Sequence, residues 1–203
     1  MNTLLQLKNI SKSIKEKEIL KSIDLELKQG EFYGLIGSNG AGKSSLMKII
    51  VGLYRPSEGS IEIAPHIKIG FLPEHCILYR DLKVLDLLIY FSKLANLPPD
   101  KANERIKYLS DLFDFVPSLN KKFEELSGGN IQKLGLIIVF LRECDLYILD
   151  EPTTALDPIA RANMFDYLKK IQKEKNTTIL ISSHNLDELI HFTNKAIIIR
   201  NGE

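Results

Sequence analysis

Gly37-Ser38-Asn39-Gly40-Ala41-Gly42-Lys43-Ser44 fills every fixed place of the pattern G-x-x-x-x-G-K-[ST]. It lies between an apolar, strand-like run, Phe32 to Ile36, and a helix-like run, Leu46 to Leu53. A strand that turns through a glycine-rich loop directly into a helix points to an α/β nucleotide-binding core. The loop amides and the positive end of the new helix together make an anion site. Glycines at 37, 40 and 42 let the backbone close on β- and γ-phosphates, and Lys43 adds a point charge. Ser44 offers a hydroxyl to the magnesium ion that ATP carries, and Ser45 completes the nucleotide-contacting segment. The bland alternative is a glycine-rich turn, but a full match in this setting favours nucleotide phosphate.

Two further segments follow in order. Leu146-Tyr147-Ile148-Leu149-Asp150-Glu151 is an apolar strand ending in adjacent acids. In isolation such a pair often only caps the next turn. At the end of a buried strand opposite a phosphate loop, it suits a magnesium ligand at Asp150 and a water-activating base at Glu151. Before it, Ser127-Gly128-Gly129 opens a helix predicted over Asn130 to Leu141, so free amides and a positive helix end lie beyond Ser127. The plain reading of Ser127 is an N-cap.

Leu126-Ser127-Gly128-Gly129-Asn130, with Ile131-Gln132-Lys133 after it, resembles the signature of the ATP-binding cassette (ABC) family, Leu-Ser-Gly-Gly-Gln followed by x-Gln-Arg/Lys. Only the fifth residue departs. Pro152-Thr153-Thr154-Ala155-Leu156-Asp157 is similar to the family's D-loop, and His184, after Ile179-Leu180-Ile181-Ser182-Ser183, to its switch histidine. The resemblance runs from about Leu4 to Glu203. It implies the ATPase subunit of a membrane transporter of drug or peptide exporter type, using ATP and Mg2+. Lys43, Glu151 and His184 carry hydrolysis in that reading, with His184 sensing the γ-phosphate. Ser127, Gly128, Gly129, Asn130 and Asp157 meet the nucleotide of a second cassette. A dimer is thus implied, two-fold symmetric if the partner is identical, and so is a separate membrane-spanning subunit. The expected location is the cytoplasmic face of the cell membrane, held there by that partner.

Three departures bear on the site. Asn130 is one methylene shorter than the usual Gln. Ile14, in Ile10-Ser11-Lys12-Ser13-Ile14, stands where the family places an aromatic residue against adenine. Loss of a stack worth roughly 1–3 kcal/mol predicts weak, base-tolerant binding. Glu74, in Gly70-Phe71-Leu72-Pro73-Glu74, replaces the Q-loop Gln; it can approach magnesium or its water, or be a solvated loop acid. Ile77, Leu78, Tyr79 and Leu82 follow, and either pack on the helices or form the groove that in the family receives the membrane subunit.

With 203 residues and 44% hydrophobic content, the chain has enough material for a real core. A net charge of +1 makes no global case for nucleic acid, and none is expected as a partner. Its longest apolar stretch, Leu134 to Leu141, is far below the ~20 residues of a membrane helix, and Met1 to Leu7 lacks the features of a signal peptide. Cys76 and Cys144 form no C-x-x-C, which fits a reducing cytosol.

Alternation predicts strands at Leu4 to Ile10 and Ile19 to Leu27 around a Lys15–Glu18 turn, then at Ser60–Ile63 and Ile67–Leu72. Helical spacing follows, with stripes Leu85, Leu88, Ile89, Leu94 and Ile106, Leu109, Leu112, Phe113. Tyr147–Leu149, Thr178–Ser182 and Ala196–Ile199 read as strands of a parallel sheet. The expected fold is α/β: a P-loop NTPase core of residues 1–75 and 143–203 with a mainly parallel sheet, and an inserted all-α subdomain, 76–142. The resemblance adds a small antiparallel β subdomain. The alternative function is a soluble ABC ATPase on ribosomes or nucleic acid, against which stand the single cassette and the missing basic stripe. A GTPase is disfavoured because Asn194-Lys195-Ala196-Ile197 lacks the acid for guanine.

Overall fold

A computed structural model describes residues 2–203. In chain order the elements are β1 (Thr3–Ile14), β2 (Lys17–Lys28), β3 (Phe32–Ile36), α1 (Lys43–Ile50), β4 (Glu58–Ile63) and β5 (Ile69–Leu72). Then come α2 (Val84–Leu94), α3 (Pro99–Leu112), α4 (Gly128–Leu141), β6 (Leu146–Leu149), α5 (Pro158–Lys175), β7 (Thr178–Ser183), α6 (Leu186–Ile190) and β8 (Lys195–Ile198). They form two compact units: residues up to Pro73 with 144–151 and 168–203, and residues 74–143 with 152–167.

The first unit holds a three-stranded antiparallel sheet, ordered β2-β1-β4, and a five-stranded sheet, ordered β5-β6-β7-β3-β8. Every pairing in the larger sheet is parallel. Its middle strands read as uninterrupted apolar or β-branched runs because they are buried on both faces, and every residue of β6 and β7 is buried. Leu5, Leu7, Leu20, Leu35, Leu46, Ile49, Ile148 and Leu180 form one core. Full burial of each such side chain is worth about 1.5–3 kcal/mol.

The consequence for function is geometric. Strands β6, β7 and β3 are parallel neighbours, so the loops leaving their C-terminal ends emerge on one sheet edge. Those loops carry Asp150-Glu151, His184 and Gly37–Ser44.

Several element bounds differ from the sequence reading. Strands β1 and β2 continue to Ile14 and Lys17, where Ser13 pairs Glu18 and Ile14 pairs Lys17, so the turn is only Lys15-Glu16, with Lys15 at φ 55°. Backbone pairing carries the hairpin past the point where alternation stops. Inward alternation also breaks at Asn9, whose positive φ of 51° sits in a bulge that turns Ile10, rather than Asn9, into the core. β5 starts at Ile69 rather than Ile67, because the Lys68 amide bonds the Asp145 carboxylate instead of a ladder partner.

In the second unit, α2 buries Val84, Leu87 and Leu88, while Leu94 is 58% exposed and Leu85 and Ile89 are half-buried. The sequence Val84-Leu85-Asp86-Leu87-Leu88-Ile89-Tyr90 is apolar on too many sides for spacing to select the true face. The second stripe is sounder, with Ile106, Leu109 and Phe113 all buried. Phe140 of α4 stacks on Phe113 at 6.3 Å and meets Tyr167 at 4.8 Å. The Arg105 guanidinium donates from Nε and Nη2 to the Phe140 carbonyl, closing the C-terminal end of α4. Among the described residues no helix is long and apolar enough to cross a membrane.

Candidate functional site

After β3 the chain turns through Gly37. A Cβ there would lie 2.5 Å from the Ile199 carbonyl oxygen, so the turn has no room for one. Gly42 sits at the N-cap of α1 with φ 111°, and a Cβ on it would meet Leu20 at 2.7 Å; strain and space both exclude other residues. Between them Ser38, Asn39 and Gly40 are exposed and Ala41 is buried, its amide donating to the Ser38 carbonyl at 3.1 Å. No side chain caps α1, so its first-turn amides are left for another acceptor. Ser44 and Ser45 lie half-buried on that turn.

Lys43 is buried, and its Nζ donates to the Gly37 carbonyl at 2.7 Å and to the Ser38 carbonyl at 3.4 Å. The same Nζ is 3.3 Å from Glu151 Oε1. Glu151 Oε2 lies 3.0 Å from His184 Nδ1. One buried carboxylate thus stands between an ammonium and an imidazole whose side chain is 57% exposed.

Asp150 is wholly buried at the end of β6. Its Oδ1 accepts from the Ser182 hydroxyl at 2.8 Å, whereas Oδ2 is buried with no hydrogen-bond partner. A buried carboxylate oxygen left unpaired is costly, and a cation is the natural complement. No group of three or more His, Cys, Asp or Glu side chains able to hold a metal occurs among the described residues. A single carboxylate with one oxygen left over suits Mg2+, which keeps waters and shares substrate phosphates rather than sitting in an all-protein cage. The residues present therefore fit Mg2+ bound together with a triphosphate.

Glu151 has φ 48°, unusual for a residue with a side chain, and its amide donates to the same Ser182 hydroxyl at 2.8 Å. Ile14, near the hairpin tip, is 43% exposed.

The second unit carries the other sequence-selected residues. Ser127 caps α4, accepting from the Asn130 amide at 3.4 Å, a long bond; Ser127 and Gly128 are exposed. A Cβ at Gly128 would meet no atom within 4 Å, while one at Gly129 would lie 2.9 Å from the Ala155 carbonyl oxygen. The signature helix and the loop at 152–157 are joined twice more. Gln132 Nε2 donates to the Pro152 carbonyl at 3.0 Å, and Lys133 Nζ bonds Asp157 Oδ2 at 2.8 Å. The Lys133 ammonium, helped by the Ala160 amide, holds the Asp157 carboxyl below its ordinary range. Glu74 is half-exposed, with His75 Nε2 4.0 Å from its carboxylate. Ile77 and Tyr79 are 87% and 71% exposed, and Leu82 41%.

The profile of the ABC transporter family matches residues 20–154. The chain belongs to that family. This ABC cassette is an ATPase, with ATP and Mg2+ as its cofactors. It is 33% identical over 203 residues to the uncharacterized ABC transporter ATP-binding protein MJ1023 of Methanocaldococcus jannaschii, covering 100% of this chain and 76% of that one. It is 34% identical over 213 residues to the glycine betaine/carnitine/choline transport ATP-binding protein of Bacillus subtilis, covering 98% of this chain but only 56% of that protein. Among solved structures, an ATP binding subunit of an ABC transporter superposes with TM-score 0.89 at 31% identity over 98% of this chain and 87% of that one. A dimeric bacterial ABC transporter cassette does so with TM-score 0.88 at 25% identity, over 98% and 96%.

Sequence reasoning on the ABC cassette quoted two polar residues without giving either a role. Ser182, within a buried apolar strand, bonds both acids. Lys133, inside α4, pairs with Asp157. Each carried the same signal, a hydrogen-bonding side chain at a position the pattern marks as buried.

Proposed function

We propose that this ABC cassette is the ATP-hydrolysing subunit of a membrane transporter, paired with a second copy of itself across shared nucleotides and driving a separate membrane-spanning subunit outward. The observation that carries the reading is the Lys43–Glu151–His184 line, at 3.3 and 3.0 Å, beside the orphaned Asp150 Oδ2.

In this reading the amides of residues 37–45 and the Lys43 ammonium bind the triphosphate. Ser44 and Asp150 would hold Mg2+, which would neutralise phosphate charge when bound. Glu151 accepts the proton of the attacking water, and His184, hydrogen-bonded to it, faces the γ-phosphate. Ser127, Gly128, Gly129, Asn130 and Asp157 complete the partner's site; the exposed start of α4 and the dimeric cassette among the similar structures support this arrangement. Glu74 approaches the metal or its water from the Q-loop. Base recognition at Ile14 is weak for want of an aromatic ring. The exposed apolar side chains Ile77, Tyr79 and Leu82 dock the membrane subunit, which holds the chain at the cytoplasmic face. The outward direction rests on the Q-loop resemblance to exporters.

The test is affinity capture from detergent-solubilised native membranes with the Glu151→Gln chain and ATP. A multi-span membrane protein that copurifies, and is lost when Ile77 and Tyr79 become Asp, supports the proposal. Recovery of ribosomal or nucleic-acid partners alone overturns the transporter reading and leaves the ATP chemistry standing.

A further inference from the structure

Ser182 lies on β7, in the larger sheet between the acid-bearing strand β6 and the loop-bearing strand β3. Its ladder partner on β3 is Leu35, and the preceding residue, Ile181, pairs Leu149, immediately before the acids. The side chain is fully buried, and its single oxygen makes two bonds with different roles. It donates to Asp150 Oδ1 at 2.8 Å and accepts from the Glu151 backbone amide at 2.8 Å.

A hydroxyl is well suited to that place because it donates and accepts through one small atom. Donation occupies one oxygen of the Asp150 carboxylate and leaves the buried, unpartnered Oδ2 as the oxygen free for a cation. Acceptance satisfies a buried amide belonging to a residue at φ 48°, a backbone region that costs an L-residue unless its surroundings hold it there. That backbone state accompanies the placement of the Glu151 carboxylate between Lys43 at 3.3 Å and His184 at 3.0 Å. Ser182 Oγ is therefore tied to both acids.

We propose that Ser182 is a positioning residue for ATP hydrolysis, whose hydroxyl sets the Asp150 carboxylate for Mg2+ and the Glu151 backbone for water activation. The inference rests on the roles given to Asp150 and Glu151 above. Ser182 would act through those two residues, to which its hydroxyl is bonded.

The experiment compares the parent, Ser182→Ala, Ser182→Thr and Asp150→Asn. Binding of mant-ATP is followed in EDTA and across graded MgCl2, with steady-state hydrolysis and a thermal melt on each protein. For Ser182→Ala the expected result is mant-ATP affinity in EDTA within about twofold of the parent. The Mg2+ concentration for half-maximal tightening should rise about tenfold or more, and kcat should fall by at least the same factor. KM for ATP at saturating Mg2+ should change little. Ser182→Thr keeps the oxygen and should track the parent. A general loss of structure would instead weaken EDTA and Mg2+ binding alike.

A folded alanine variant with the parental Mg2+ midpoint and kcat overturns the proposal, provided Asp150→Asn shifts that midpoint. If Asp150→Asn also leaves it unchanged, the metal role of Asp150 itself is wrong, and the proposal falls with it. A folded threonine variant that behaves like alanine overturns it too, since the oxygen would then not be what matters. Should the alanine chain not fold, Ser182→Cys, of similar size but with a weak sulfur donor and acceptor, carries the same comparison.

Discussion

On the roles proposed for Lys43 and Glu151, Glu151→Gln is expected to separate catalysis from binding, by an amount the structure makes quantitative. The parent carboxylate lies 3.3 Å from Lys43 Nζ, and both side chains are at least nine-tenths buried. At that distance and an effective dielectric constant near 20, the attraction between unit charges is about 5 kcal/mol before desolvation offsets much of it. In the proposed site an incoming triphosphate would compete with Glu151 for this ammonium. Glutamine keeps the volume and one acceptor oxygen but carries no charge, so it releases Lys43 to the phosphates. It also cannot take a proton from water. The expected outcome is mant-ATP affinity equal to or tighter than that of the parent, with phosphate release slowed at least tenfold, about 1.4 kcal/mol in barrier. Hydrolysis at the parental rate would refute the base assignment. Affinity weakened more than tenfold would refute the idea that Glu151 restrains Lys43 before nucleotide arrives.

Two further outcomes are expected. Ile14→Tyr, at a 43% exposed hairpin position, should tighten ATP binding by roughly 1 kcal/mol, about fivefold, measured by mant-ATP displacement, with no change meaning that adenine lies elsewhere. Lys133→Met should remove the largest cause of the depression of the Asp157 carboxyl, leaving the smaller contribution of the Ala160 amide. Because the folded carboxyl lies below its unfolded value of about 3.9, its stabilisation is present above that pH and is lost as pH falls through the lower folded value. Stability by urea titration should therefore drop in the variant at pH 7, by less than about 1 kcal/mol for a half-exposed carboxylate, and the gap should close in strong acid. A gap that persists unchanged there would locate the loss in Lys133 packing instead.

The parts of the fold legible in advance were those with strong local codes. Gly37 and Gly42 stand where a Cβ has no room, so their places in the pattern report real backbone constraints. Strands β6 and β7 read directly because burial on both faces leaves no polar alternation to misjudge. The face of α2 was not legible, since a helix apolar on several sides has no single stripe, and the true one depends on what packs against it. The full length of the first hairpin was hidden for a related reason. Ser13, Glu18 and Lys17 join the sheet through cross-strand backbone pairing, not through side-chain pattern.

For the site, the sequence alone determined the parts: a glycine-rich loop with Lys43 and Ser44, a strand ending in Asp150 and Glu151, a helix behind Ser127, and His184. Each is a local feature, encoded by residues within a few positions of one another. Only the tertiary structure decided that β6, β7 and β3 lie side by side in parallel, which brings Lys43, Glu151 and His184 into one line although they are far apart in sequence. It alone also selected Ser182 from a run of buried strand residues and left Asp150 Oδ2 without a partner. The physical reason is that strand order and register are set by how the whole core packs, and a hydrogen bond between residues 32 apart leaves no trace in local pattern.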